Sequence, residues 1–185
     1  IGDSTAKPFI HTYNGQRHEI ISAPITGNGL GRGGTETAGE VYAGLFGCNA
    51  GELRDIVLIT GREDTIVGFD RGIQRRSAYI GALVGYNSGT VRGVKATGGV
   101  VGYNTGTIQN SYNVGEVYCD SETGSQVGGI AGYNTRAKIK QCFNNGYVTG
   151  AAGANYFGGI VGYNSGDGIY NCYNAGEILG GFYIG

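Results

Sequence analysis

The apolar residues of this 185-residue chain fall in short runs that glycine and asparagine separate. One such run is Gly159–Tyr163, and a second, Ile169–Tyr173, follows after a short polar stretch. Short runs of β-branched and aromatic residues between turn residues are typical of strands. No segment keeps a 3.6-residue apolar period over a useful length, so the pattern predicts an all-β chain with almost no helix.

These runs belong to copies of one repeated unit. The most regular copies begin at Gly98, Gly128 and Gly158. In them the glycine that precedes tyrosine recurs every 30 residues, at Gly102, Gly132 and Gly162. Two further copies lie upstream and are less regular. The spacing from Gly47 to Gly85 is 38 residues, and the spacing from Gly85 to Gly102 is only 17. A tandem array of this kind predicts stacked structural repeats.

The array divides the chain into a lead-in and a repeat region. Residues 1–40 are expected to form lead-in strands or an N-terminal coil, and residues 41–185 the repeat region, with an insertion at 61–79. The last residues, 182–185, resemble the opening of the preceding copy, and the chain begins at Ile1 with neither Met nor a signal peptide. We therefore expect one continuous domain cut from a longer array.

Stacking is required because one repeat cannot bury its own apolar residues. If each copy makes one coil, each strand pairs in parallel with its equivalent in the next coil, about 4.8 Å away. Apolar residues such as Ile130 and Ile160 then stack into an inner ladder. The preference of parallel crossovers for one hand predicts a right-handed parallel β-helix, or β-solenoid.

The alignment places chemically similar residues in columns. Asn104, Asn134 and Asn164 share one column with Asn49 and Asn87, and Asn113, Asn144 and Asn174 share another. Asparagine caps turns, and stacked amides can hydrogen-bond between coils, although a ligand site is the alternative. Tyr103, Tyr133 and Tyr163 form a third column with Tyr86, as a structural ladder or as a platform for sugars.

Two cysteines also share a repeat position. Cys142 and Cys172 align with Ser111 of the earlier copy. They are expected to form either a buried thiol ladder or a disulfide. Neighbouring parallel strands give poor geometry for the bond, which favours reduced thiols.

Composition and charge narrow the function. Glycine supplies 39 residues and proline 2, which excludes collagen, and the net charge of −1 offers no basic field for nucleic acid. No run approaches the roughly 18 apolar residues of a membrane helix. With two histidines and no Cys-x-x-Cys, no metal site is expected. No cofactor motif has its structural context, and scattered carboxylates predict no catalytic residue.

The segment from Gly61 to Tyr79 concentrates charge in a charge-poor chain. Arg71, Arg75 and Arg76 lie in it, and loops on rigid scaffolds often bind partners. A partner-binding insertion is therefore one hypothesis. The alternative is a solvated loop over one side of the solenoid.

The repeats resemble a known motif. Gly44-Leu-Phe-Gly47, followed by Asn49-x-Gly51-x-Leu53, is similar to the GLUG motif, and the later copies match its extended form over about residues 41–185. GLUG repeats occur in bacterial surface and secreted proteins, some adhesin-like and some attached to IgA-cleaving metallopeptidases. The resemblance implies an extracellular, cell-surface, non-catalytic solenoid, with no catalytic residues to carry over.

Four candidate functions are consistent with a β-solenoid of this composition. The first is a structural or adhesive segment whose partners are adjacent repeats of the same parent chain and a host or cell-surface protein or glycan. The second is a carbohydrate-binding module, and the third a polysaccharide-active enzyme, since parallel β-helices host both lyases and hydrolases. The fourth is a subunit of an extracellular fibre, because terminal coils expose strand edges that favour head-to-tail self-association.

Overall fold

A computed structural model describes residues 1, 6–22, 35–37, 40–60, 77–119, 126–150, 156–165, 167–180 and 183–185. Over these residues the chain is all-β and without helix, as the apolar pattern predicts. The strands are numbered β1 to β26 along the chain. They pair in parallel except where β3 (Thr35–Thr37) meets β4 (Glu40–Ala43) in an antiparallel pair.

Three parallel sheets, called walls 1, 2 and 3, make up the body of the solenoid. Wall 1 consists of β5 (Phe46–Asn49), β9 (Val84–Asn87), β12 (Val101–Asn104), β17 (Ala131–Thr135) and β22 (Val161–Ser165). Wall 2 consists of β1 (Thr12–Asn14), β6 (Glu52–Arg54), β10 (Thr90–Arg92), β13 (Thr107–Gln109), β18 (Lys138–Lys140) and β23 (Gly168–Tyr170). Wall 3 consists of β2 (Glu19–Ser22), β7 (Val57–Thr60), β11 (Lys95–Ala96), β14 (Tyr112–Asn113), β19 (Phe143–Asn144) and β24 (Tyr173–Asn174).

One repeat of 30 residues equals one coil. Tyr103 lies opposite Tyr133 in the pairing of β12 with β17, and the Ile130 amide donates to the Ile160 carbonyl oxygen at 3.0 Å. Equivalent positions are therefore hydrogen-bonded neighbours, which confirms the parallel β-helix. The right-handed sense of the coil stays a prediction from the crossover rule.

The core is a set of apolar ladders that face inward from all three walls. In wall 2 each inner residue lies directly over the next, and all four of the central ones are fully buried: Leu53, Val91, Ile108 and Ile139. Phe46 from wall 1 and Leu58 from wall 3 belong to the same cluster. Burying each such side chain contributes about 1.5–3 kcal/mol, so the ladders are the main source of stability.

The 17-residue copy proves to be a complete coil. In it one residue, Thr97, separates the end of β11 at Ala96 from Gly98, whereas 14 residues separate Asn113 from Gly128 in the next copy. The difference of 13 residues equals 30 minus 17. The longer copies therefore carry an extra excursion, called the arm, that leaves wall 3 and returns to wall 1.

The arms add their own strands beside the walls. Arm strands of the C-terminal copies form two sheets: β15 (Val117–Cys119), β20 (Val148–Gly150) and β25 (Ile178–Leu179), then β16 (Gln126–Gly128), β21 (Tyr156–Gly158) and β26 (Tyr183–Ile184). Upstream, β4 pairs in parallel with β8 (Ser77–Ile80). The predicted insertion at 61–79 thus ends in an arm strand, and residues 61–76 lie outside the described residues.

The arms explain the glycine that precedes tyrosine in every regular copy. An arm strand packs its backbone directly on wall 1 at that position. A Cβ added at Gly102 would come within 2.6 Å of the Ile80 amide nitrogen, and one at Gly162 within 2.5 Å of the Val127 nitrogen. A second, smaller core holds the arms together and consists of Val117, Cys119, Val127, Val148 and Phe157.

The corner between walls 2 and 3 repeats a left-handed backbone. The residue at this corner has a φ between +51° and +64° in five successive coils: Asp55, Gly93, Asn110, Gln141 and Asn171. Asp, Asn and Gly tolerate this conformation, whereas Gln141 is the least suited of the five. The corner therefore carries local strain in one coil.

The lead-in supplies a first coil. β1 and β2 pair with β6 and β7, and Phe9 bridges Asn49 in wall 1. The rings of Phe9 and Tyr13 pack against Phe46 with centroids 5.2 and 5.7 Å apart. Aromatic side chains thus fill this end of the core.

Candidate functional site

The first asparagine column is a continuous amide ladder in the interior. Each Nδ2 donates to the Oδ1 of the next coil, over 2.8 Å from Asn49 to Asn87, 2.8 Å from Asn87 to Asn104, 2.7 Å from Asn104 to Asn134 and 2.7 Å from Asn134 to Asn164. Asn104 also donates to the Gly106 carbonyl and accepts from the Gly106 amide. Its amide therefore uses both hydrogens and both acceptor positions, which leaves no capacity for a ligand.

The second asparagine column forms a shorter ladder in wall 3. Asn113 donates to Asn144, and Asn144 donates to Asn174, each at 2.8 Å. In the earlier coils the same register positions hold Ala96 and Leu58. This ladder therefore begins at Asn113.

The tyrosine column stacks ring on ring along wall 1. Centroids are 5.4 Å apart from Tyr86 to Tyr103, 5.0 Å from Tyr103 to Tyr133 and 4.9 Å from Tyr133 to Tyr163, with interplanar angles of 5–21°. Neighbouring rings thus cover the faces on which a sugar would stack. In the Gly44 copy, Cys48 takes the tyrosine position and lies buried opposite Tyr86. This geometry favours a structural ladder over a sugar platform.

The cysteine column makes backbone contacts. The Cys142 and Cys172 thiols donate to the carbonyls of Lys140 and Tyr170, each at 3.2 Å, and the Cys142 amide donates to Cys172 Sγ at 3.4 Å. Ser111 does the same with oxygen, donating to Gln109 at 2.9 Å. Cys142 and Cys172 carry free thiols, so this column holds no disulfide.

Burial changes the acidity of one of these thiols. Desolvation in the core raises the pKa of the Cys142 thiol to about 12. A buried neutral thiol of this kind is a poor nucleophile, because the reactive species is the thiolate. Cys142 therefore acts as a packing group.

An aromatic ladder on the outer side of wall 3 was not anticipated from the sequence. Tyr112, Phe143 and Tyr173 stack with centroids 4.6 and 5.2 Å apart and nearly parallel planes. The signal was present, because each follows the Ser111, Cys142 and Cys172 column by one residue. As in the tyrosine column, neighbours cover the inner ring faces.

The arginine-rich insertion cannot be placed among these features. Arg71, Arg75 and Arg76 lie outside the residues that the structure describes. Their role as a partner-binding surface stays a hypothesis.

Wall 2 carries four of the eight described lysine and arginine residues: Arg54, Arg92, Lys138 and Lys140. Arg92 Nε donates to the Glu52 carboxylate of the preceding coil, and this hydrogen bond lowers the pKa of Glu52. Farther along, Lys138 and Lys140 project from the same side of β18, since Ile139 between them is buried. These lysines form no ion pair with any residue that the structure describes.

A tyrosine of the next coil lies flat against this side. The Tyr170 ring folds back across Gly168, so that a Cβ at Gly168 would come within 2.6 Å of both Cζ and Oη. Its hydroxyl donates to the Asp167 carbonyl at 3.0 Å, and the residue is 49% exposed. In register, Gly168 lies beside Lys138, and Tyr170 beside Lys140. The ring thus lies over the strand that pairs with the lysine-bearing strand β18.

The described residues form neither a metal site nor a membrane-spanning helix. Over the described ranges, no three His, Cys, Asp or Glu side chains are grouped closely enough to hold a metal ion. In the same part of the chain, no helix has the length and apolarity to cross a membrane. No family model, curated protein or solved structure matches the chain.

Proposed function

We propose that this chain is a non-catalytic structural or adhesive β-solenoid segment of a bacterial cell-surface or secreted protein. The observation that carries the proposal is the use of its repeated polar groups. The amides of the Asn49–Asn164 ladder bond to one another from coil to coil and to their own turns. The residues that recur in the sequence are thus committed to holding the coils together.

The residues of the GLUG-like motif have structural roles of the same kind. Asn49 belongs to the amide ladder, and Leu53 is fully buried in the core. A Cβ at Gly51 would lie 2.1 Å from the His11 carbonyl oxygen, so this turn requires glycine for close contact between coils. The motif residues therefore build the turn, the amide ladder and the core of one coil, which supports a scaffold role.

An enzyme is the less favoured alternative. Hydrolysis or elimination on a polysaccharide needs carboxylates that converge on the substrate. Of the described acidic residues, Glu52 is neutralised by Arg92. Glu116 accepts a hydrogen bond from the Thr149 hydroxyl of the next coil, so both of these carboxylates have structural partners.

A head-to-tail fibre is also less favoured. In such a joint the C-terminal coil would present Asn164 and Asn174 to the N-terminal coil of a second copy. That coil carries Phe9 and Ile20 at the two register positions. Neither side chain can continue an amide ladder, so a coil with asparagine at both positions fits this end better.

The experiment combines location with activity in the native organism. Antibodies against the chain should label intact cells or the culture medium without permeabilisation. A panel of polysaccharides incubated with the purified chain should release no new reducing ends. Labelling confined to permeabilised cells would contradict the extracellular role, and a released product would contradict the non-catalytic one.

A further inference from the structure

The outer side of wall 2 in the last two described coils combines an open aromatic ring with unpaired cations. From this combination we infer that Arg136, Lys138, Lys140 and Tyr170, called the Tyr170 patch, bind a linear acidic polysaccharide of the polyuronate class. This inference rests on the proposed surface role and names the partner of that surface.

Tyr170 differs from the tyrosines of the two aromatic ladders in the orientation of its ring. Tyr133 is stacked by Tyr103 and Tyr163 on its two faces, and Tyr173 is stacked by Phe143 on one face. The Tyr170 ring instead lies across Gly168, and among the described residues it stacks on no other aromatic ring. One face of the ring therefore lies against Gly168, and the opposite face is exposed to solvent. The apolar C–H face of a pyranose can pack on such a face.

The position of the ring is fixed before any ligand arrives. Glycine at 168 leaves the space that the ring occupies, and the Asp167 carbonyl accepts a hydrogen bond from the hydroxyl at the far end. A ring held in this way loses little conformational entropy on binding. The sheet beneath it is hydrogen-bonded on the side of β18.

The cations on the strand beside the ring favour an anionic ligand. Lys138 and Lys140 lie beside Gly168 and Tyr170 in the parallel register, and Arg136 precedes them in the same coil. Asp167 lies three residues before Tyr170, and with it the patch holds three cations and one carboxylate. These cations form no ion pair within the described part of the chain. A neutral glycan would leave them unused.

Other polyanions fit this surface less well. The chain has a net charge of −1, and only the three cations of the patch would face nucleic acid phosphates. Such a small number of phosphate contacts gives weak, salt-sensitive binding. An acidic peptide would use the cations but not the flat ring. A polyuronate uses both, because its carboxylates alternate with pyranose faces along one strand.

The test is a binding titration by isothermal calorimetry at low ionic strength. The probe is oligogalacturonate, and the matched probe is its fully methyl-esterified form, which keeps the sugar backbone and removes the charge. The acid form should bind, the ester should bind at least about tenfold more weakly, and added salt should weaken the acid form.

Variants assign the binding to the patch. Tyr170→Leu and the double variant Lys138→Gln/Lys140→Gln should each raise the Kd at least about tenfold. The matched control, Arg17→Gln/Lys95→Gln, removes the same charge from other parts of the surface and should change the Kd by less than about twofold. Lys138→Arg/Lys140→Arg should retain binding. Circular dichroism verifies that each variant is folded.

Several outcomes would overturn the inference. They are no binding of oligogalacturonate, equal binding of acid and ester, equal loss in the Arg17/Lys95 control, or equally tight binding of oligo(dT) or poly-glutamate. If the antibodies find the chain outside the cell while oligogalacturonate does not bind, this inference fails and the proposed surface role stands. Product release or internal location would instead remove the proposed function itself.

Discussion

The inner side of wall 3, together with the residues that lead into it, is built in two ways along the same solenoid. In the first coils its inner positions are apolar, with Leu58 and Ala96 in one column. In the later coils the same column holds Asn113, Asn144 and Asn174, joined by amide hydrogen bonds. The adjacent column changes from Ile56 and Val94 to Ser111, Cys142 and Cys172 at the same place.

The difference shows that one backbone register accepts two kinds of core. Apolar ladders tolerate differences in size, as the step from Leu58 to Ala96 shows. An asparagine of an amide ladder cannot be replaced by another residue type without loss, because each member needs its neighbours to satisfy its hydrogen bonds. We call the coils with Leu58 and Ala96 the apolar half and the coils with Asn113, Asn144 and Asn174 the polar half. Asparagine placed in the apolar half, or an apolar residue placed in the polar half, should lower the free energy of unfolding, for different reasons.

The largest effect is expected from a polar residue in the apolar half. Leu58→Asn removes a fully buried side chain and leaves an amide between Ile20 and Ala96, which cannot bond to it. The free energy of unfolding should fall by about 4 kcal/mol, the sum of lost burial and an unsatisfied amide. Urea denaturation measures it. A loss no greater than that of Leu58→Val would show that this half accepts amides.

The reverse exchange should cost somewhat less. Asn144→Leu interrupts the ladder, so Asn113 loses its acceptor and Asn174 one donor, and the turn at Gly146 loses its side-chain bonds. We expect a loss of about 3 kcal/mol in urea denaturation. The neighbouring Asn145 is exposed, and Asn145→Leu should change stability by less than about 0.5 kcal/mol. Equal losses in the two variants would contradict the ladder's contribution.

Alkaline pH should weaken the polar half through Cys142. Burial raises the pKa of this thiol to about 12, whereas the unfolded chain releases the proton near pH 9. Stability is therefore fully present below about pH 9 and is lost as pH rises towards about 12.

The pH effect is isolated by a variant. Between pH of about 8 and 10.5 the wild type should lose about 2 kcal/mol more than Cys142→Ser, whose hydroxyl repeats the contacts of Ser111. Thermal melts across this range measure the difference. Identical pH profiles for the two proteins would show that Cys142 is not held neutral by the core.

The smallest effect is expected at the turn that joins walls 2 and 3. Gln141 has a φ of +54°, at a corner where Gly93 stands in an earlier coil. Gln141→Gly should raise the free energy of unfolding by up to about 1 kcal/mol, because glycine adopts this backbone without strain. Gln109→Gly, within strand β13, should destabilise instead. A loss of stability in Gln141→Gly would show that the corner is unstrained.

The sequence predicted those features that recur in register. The amide and tyrosine columns could be expected because Asn and Tyr return every 30 residues, and equal spacing with parallel pairing places them over one another. The meaning of the 17-residue copy could not be derived in the same way. The arm strands themselves recur, as the paired Val117, Val148 and Ile178 show, but the sequence of a copy without an arm does not reveal whether it closes a full coil.

The Tyr170 patch was beyond prediction for a different reason. The register positions equivalent to Tyr170 hold Gln109 and Lys140, so no recurrence singles out this tyrosine. Its orientation depends on the absence of a side chain at Gly168, two residues earlier. A feature that arises from one side chain folding over one glycine leaves no periodic trace in a sequence.

Equivalent residues of successive regular repeats, 30 or 31 positions apart, are hydrogen-bonded neighbours in this account, and nuclear Overhauser effects test that pairing. Parallel pairing of Ile108 with Ile139 and of Ile139 with Ile169 predicts backbone cross-peaks between successive members of this series. These cross-peaks should be among the strongest long-range signals of the chain. If they are absent, and Ile139 instead shows cross-strand contacts within its own repeat, the stacked solenoid is contradicted.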